Sequence, residues 1–119
     1  MNIEDLYTGA IKNSIDLESI ASCAKDENID VTNIFNKVSL LFAKRFMDGM
    51  IGYEDADYAM NCIWSLMINY TMENDLKLIE PTYQVYCAFD AGEYFHKNGD
   101  TKPIDNHTKP ALREILDNA

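Results

Sequence analysis

Apolar positions recur every three or four residues along almost the whole chain, which is the spacing of one buried helix face. In "NIEDLYTGAIKNSI", Ile3, Leu6, Tyr7, Ala10, Ile11 and Ile15 fall on one stripe, with Asn2 placed to cap it and Asp5 three residues on. The phase slips near residues 14–16, and Leu17, Ile20, Ala21 and Ala24 continue a second stripe. That pattern fits either one bent helix or two short ones. "DENID" (26–30) is a polar break, after which Val31, Ile34, Phe35, Val38, Leu41, Phe42 and Phe46 stay in register through residue 46. Gly49 and Gly52 bracket a turn, because glycine supplies the positive φ that a helix end often needs.

A fourth segment opens with Glu54, Asp55 and Asp57, three acids that complement the positive end of a helix dipole. Its stripe is Ala56, Ala59, Met60, Ile63, Met67 and Tyr70; Trp64, Leu66 and Ile68 thicken it, which predicts a central helix buried on most sides. The connection 72–81 ends at Pro81, and "TYQVYCAFDAGEYFHK" predicts a fifth helix over 82–97, with Val85, Ala88, Phe89, Gly92, Phe95 and His96 on one face. Residues 98–108 read as a loop, and Thr108 as the N-cap of a last helix carrying Leu112, Ile115 and Leu116 inward. No β alternation, repeat or linker interrupts this. Helices so short need mutual packing, so the expected fold is a single all-α domain over 1–119: a bundle of five or six helices, up-and-down in its middle, with 31–48 and 54–71 as the central hairpin.

Composition narrows the partners. The 119 residues carry 20 acidic and 10 basic side chains, a net charge of −10. Phosphate repels such a surface, so nucleic acid is not an expected partner, whereas the field favours a basic protein. The acids gather in 1–30, in the 48–57 turn and on the fifth helix, while 31–47 holds Lys37, Lys44 and Arg45 and no acid. Cys23, Cys62 and Cys87 are odd in number and widely spaced, which argues for small buried thiols rather than disulfides or a zinc site. "MNIEDLYTGA" does not read as a signal peptide, and the most apolar run, "AMNCIWSLMI", is about half the length that spans a bilayer. A cytoplasmic protein with no membrane or cofactor is the expectation.

Chemistry-bearing spacings are few. Glu93 and His96 have the Glu-x-x-His spacing of di-iron bundles, but that site needs a second such pair and further carboxylates, and only one pair occurs. Cys87 and His96 are nine residues apart on one predicted helix, too far for a thiolate–imidazole pair. Tyr83, Tyr86 and Tyr94, interleaved with Asp90 and Glu93, combine flat amphipathic rings with negative charge, the composition of an interface. The sequence leaves open whether those tyrosines face a partner or the core. Gly92, costly in mid-helix, marks either a close approach of another backbone or a helix end.

Two stretches, "FMDGMIGYEDADYAMNCIW" (46–64) and "VYCAFDAGEYFHK" (85–97), resemble small helical bacterial immunity proteins, the second being similar to the closing portion of the colicin D immunity-like group. The resemblance implies an all-α bundle without catalysis, whose acidic surface blocks a basic toxin. The expected function is therefore a non-enzymatic acidic binding protein, an immunity-type inhibitor of a basic toxin or another cationic protein. Its expected contact residues are Glu54, Asp55, Asp57, Asp90, Glu93 and Tyr94. The alternatives are a metal-binding or enzymatic bundle using Glu93 and His96, and a regulatory homodimer joined through the tyrosine face.

Overall fold

The computed structural model describes residues 1–93 and 102–119. Six α-helices appear among them: α1 (Ile3–Ile11), α2 (Leu17–Glu27), α3 (Val31–Met47), α4 (Tyr53–Glu73), α5 (Thr82–Asp90) and α6 (Lys109–Asp117). A π-helical turn, Ile104–Thr108, runs directly into α6, so the second half of the expected 98–108 loop is helical. The phase slip at 14–16 therefore separates two helices, and the described residues contain no strand.

Helix α3 is the hub and packs against α1, α2, α4, α5 and α6. Ring contacts give the directions. Phe46 meets Tyr53 edge-on at 6.1 Å and Phe35 meets Tyr70 at 5.9 Å, so α3 and α4 form the antiparallel hairpin that periodicity predicts. Tyr7 stacks on Phe42 at 4.4 Å, and Arg45 lies 4.5 Å over the Tyr7 ring while forking onto the Glu4 carboxylate, which sets α1 antiparallel to α3. The one acid-free helix thus has a positive charge answered from α1. Leu6, Ile20, Ile34, Phe35, Val38, Phe42, Met60, Ile63, Met67, Val85, Phe89 and Leu112 are fully buried between the helices. One position and one helix depart from the periodic reading. Ala21 is exposed, its turn of α2 burying Ile20, Cys23 and Ala24 instead. Helix α4 is not wrapped on most sides: Tyr58, Asn61, Ser65, Asn69 and Met72 make a solvent face, and Trp64, Leu66 and Ile68 are half-buried beside it.

The first four helices end in one way. Asn13 (φ 52°), Asn28 (φ 55°), Gly49 (φ 77°) and Asp75 (φ 52°) take the left-handed conformation one or two residues past each helix. The amide that follows each of them reaches back five residues to an orphan carbonyl, as Ser14 does to Gly9 and Met50 to Arg45. Asparagine, aspartate and glycine tolerate that backbone, and the paired bonds form a Schellman closure. Starts are less uniform. Asn2 with Asp5 and Asp16 with Ser19 form reciprocal capping boxes on α1 and α2.

Helix α5 is secured by its neighbours instead. At its start, the Asn36 side-chain oxygen on α3 accepts from the Thr82 amide at 3.1 Å and the Thr82 hydroxyl at 2.7 Å. At its end, the Tyr53 hydroxyl donates to the Phe89 carbonyl and the Thr108 hydroxyl donates to the Ala88 carbonyl at 2.6 Å. Thr108 is consequently not a side-chain N-cap for α6; its oxygen is spent on α5. The expected helix over 82–97 stops at Asp90, and 91–93 form a turn; the expected positions Tyr94, Phe95, His96 and Lys97 lie outside the described residues.

Gly92 explains the stop. A β-carbon there would lie 2.5 Å from the Thr108 hydroxyl oxygen and 2.8 Å from the Tyr53 ring and hydroxyl, so only glycine lets both hydroxyls reach the helix end. Gly92→Ala should cost about 1–3 kcal/mol through forced displacement of Tyr53 or Thr108. Gly52→Ser, at a position with open space that caps α4, should stay within about 0.5 kcal/mol of the parent. Urea unfolding of both variants checks this, and an unchanged midpoint for Gly92→Ala would refute the locking role.

Candidate partner-binding surface

Helices α4 and α5 pack along one another, and each carries chemistry at helical spacing on the shared seam. On α4, Asp57 and Trp64 are seven residues apart, about two turns. On α5, Tyr83, Tyr86 and Asp90 follow at intervals of three and four, with Glu93 in the turn beyond. Trp64 stacks on Tyr86 with ring centroids 4.2 Å apart and planes within 9°, and on Tyr83 at 5.5 Å. Because Asp57 meets Asp90 and Glu93 while Trp64 meets Tyr83 and Tyr86, the two helices run antiparallel, with aromatics at one end of the seam and acids at the other.

The acids are crowded. Asp57 is only 9% exposed. Burial first, then a hydrogen bond to Glu93, then the charges of Glu93 and Asp90 push its carboxyl up to about 8. Asp90 is also raised, by burial and then by the Glu93 charge and hydrogen bond. Among the described residues, what acts on both groups has one sign: desolvation and neighbouring anions all favour the proton. The Tyr86 phenol, raised first by burial and next by Asp90 and Glu93, lies in the same field. Near neutral pH the cluster therefore holds a proton between carboxyls that would otherwise repel.

Of the six expected contact residues, the fold brings three together. Asp57, Asp90 and Glu93 converge, but Asp57 is a buried, proton-bearing group rather than the outward carboxylate its first-turn position suggests. Glu54 and Asp55 stay exposed in the first turn of α4 and are not among the charges acting on Asp57. Tyr94 lies outside the described residues, as does His96, so the Glu93–His96 spacing acquires no geometry. Among the described residues, no three histidine, cysteine, aspartate or glutamate side chains form a group that could hold a metal. In the sequence Trp64 reads only as a helix-thickening residue; its seven-residue spacing from Asp57 is the signal that joins it to the acids. The three cysteines are free; Cys23 is buried and Cys62 half-buried, but Cys87 is exposed, against the expectation of uniformly buried thiols.

The class these features define is an all-α helical bundle with an acidic and aromatic seam, and no described helix is long and apolar enough to cross a membrane. Comparison with protein-family models, with curated proteins and with solved structures returns no match.

The raised carboxyl makes a stability prediction with a definite sign. In the unfolded chain Asp57 titrates near 3.8, in the folded chain near 8, so folding takes up a proton between those values. The associated stability is fully present below pH 4 and is lost progressively as pH rises to about 8. Asp57→Asn removes this loss. Its unfolding free energy should fall less steeply than the parent's between pH 5 and 8 and exceed it above pH 8 by on the order of 1–3 kcal/mol. Denaturant titrations across that range measure it, and parallel curves for the two proteins would exclude the shared-proton cluster.

Proposed function

We propose that this chain is a non-enzymatic acidic binding protein that captures a cationic protein surface, as an immunity-type inhibitor captures a basic toxin domain. The observation that carries the reading is the one-signed cluster of Asp57, Asp90 and Glu93 beside the Trp64–Tyr86–Tyr83 stack. A set of carboxyls grouped around the buried Asp57 that retains a proton is an incomplete ion pair. A lysine or arginine arriving from outside can take the proton's place, with its charge on the acids and its stem or guanidinium plane on the rings. The net charge of −10 steers such a partner in, and the paucity of nucleophile–base geometry in the sequence favours binding over turnover. The immunity-like resemblance of 46–64 and 85–97 supplies a concrete class for the partner, since those stretches contain Asp57, Trp64, Tyr86, Asp90 and Glu93.

The test is titration of the purified protein with a panel of basic toxin nuclease domains as probes. Asp90→Lys/Glu93→Lys should weaken binding by about tenfold or more and flatten its salt dependence, because each reversal turns an attraction into a repulsion. Since the arriving cation displaces a proton, affinity should rise between pH 6 and 8, and calorimetry in buffers of different ionisation enthalpy should register proton release. Unchanged affinity in the double variant would remove the seam as the contact surface.

A further inference from the structure

We propose a second docking surface: the groove between α5 and α6 receives an amphipathic basic helix from a protein partner. The groove encloses about 1230 Å³ and opens to solvent along its length. That exceeds the roughly 300–1,000 Å³ usual for a small-molecule pocket and suits a peptide segment. Its floor is apolar, from Leu40 on α3, Ala88 on α5 and Ile115 on α6. The rims are polar and negative: Glu80 leads into α5 and Glu114 stands on α6, and among the described lining residues neither lysine nor arginine answers them. An apolar floor between acidic rims is the complement of a helix that aligns leucine-like residues at i, i+3 or i+4 and i+7, with lysines or arginines on its flanks.

The walls are preformed rather than in need of assembly. Helix α5 is held at both ends by Asn36, Tyr53 and Thr108, and α6 is anchored by the fully buried Leu112. Little ordering cost therefore falls on the receptor side. The proposal shares with the proposed function the sign of the partner's charge and the Tyr83 ring, and otherwise uses a different face of α5.

Two natural probes report on the groove. Cys87 is exposed within it, whereas burial pushes the Cys23 and Cys62 thiols up, so thiol labelling at neutral pH reads Cys87. Tyr83 lines it and stacks on Trp64, the only tryptophan, which makes fluorescence a second report. An amidated 18-residue leucine–lysine amphipathic helix should bind saturably, protect Cys87 from dithionitrobenzoate and shift Trp64 emission. A leucine–glutamate analogue should do neither. Glu80→Lys/Glu114→Lys should weaken binding by about tenfold, and Ala111→Trp, which fills the groove, should abolish it with the helical circular dichroism retained. Asp90→Asn/Glu93→Gln should leave it within about twofold, which separates failure of the groove from failure of the seam. Absence of saturable binding, an unprotected Cys87, or an equal loss from Glu18→Lys/Glu54→Lys elsewhere on the surface would each overturn the proposal.

Discussion

The molecule depends on the close approach at Gly92. Two hydroxyls, Tyr53 from the start of α4 and Thr108 from the turn before α6, converge on the last carbonyls of α5 through space that a β-carbon would fill. Every other helix end in the first three-quarters of the chain is closed locally, by an asparagine, glycine or aspartate in the left-handed conformation. Among the described helices only α5 has its end closed by distant residues, and in consequence three segments far apart in sequence share one point. The edge-on packing of Phe46 against Phe89 at 5.3 Å fills the space beneath it.

That point decides the electrostatics. Stopping α5 at Asp90 and turning the chain at 91–93 brings Asp90 and Glu93 to Asp57. A continuous helix to residue 97 would have carried Glu93 a further turn along its own axis. Three carboxyls in a partly buried site are unfavourable, and the fold accommodates them with a proton rather than with a cation among the described residues. Such an arrangement lowers stability at alkaline pH and leaves a site whose most favourable occupant is positive. A bundle selected for stability alone would place a neutral or apolar side chain at Asp57.

The two surfaces of α5 have different characters for the same reason. Toward α4 the helix presents Tyr86 and Asp90 to Trp64 and Asp57; toward α6 it presents Gln84, Cys87 and Ala91 to a wide groove. Anchoring both ends of a nine-residue helix through side chains of α3, α4 and the π-helical turn holds both faces in place without a long hydrophobic seam. Two positive residues of α3 are committed elsewhere, Arg45 forked onto Glu4 and Lys44 3.6 Å from Asp48.

By itself the sequence determined the all-α class, the antiparallel α3–α4 hairpin, the Asn2 cap and most of the core. Those follow from a 3.6-residue period and from backbone preferences that act within a turn or two. Asn13, Asn28 and Asp75 could have been read as left-handed helix ends, since each follows its helix as Gly49 does. Tertiary structure alone decided where α5 stops, because Gly92 is equally compatible with a mid-helix contact and with an end until Tyr53 and Thr108 arrive. It alone decided that Asp57 is buried among other carboxyls while Glu54 and Asp55 stay exposed, since all three look alike as first-turn acids. And it alone made Cys87 and Glu114 neighbours of one groove. Local pattern specifies which face of a helix turns inward; only the packing of one helix on another specifies which charges meet there.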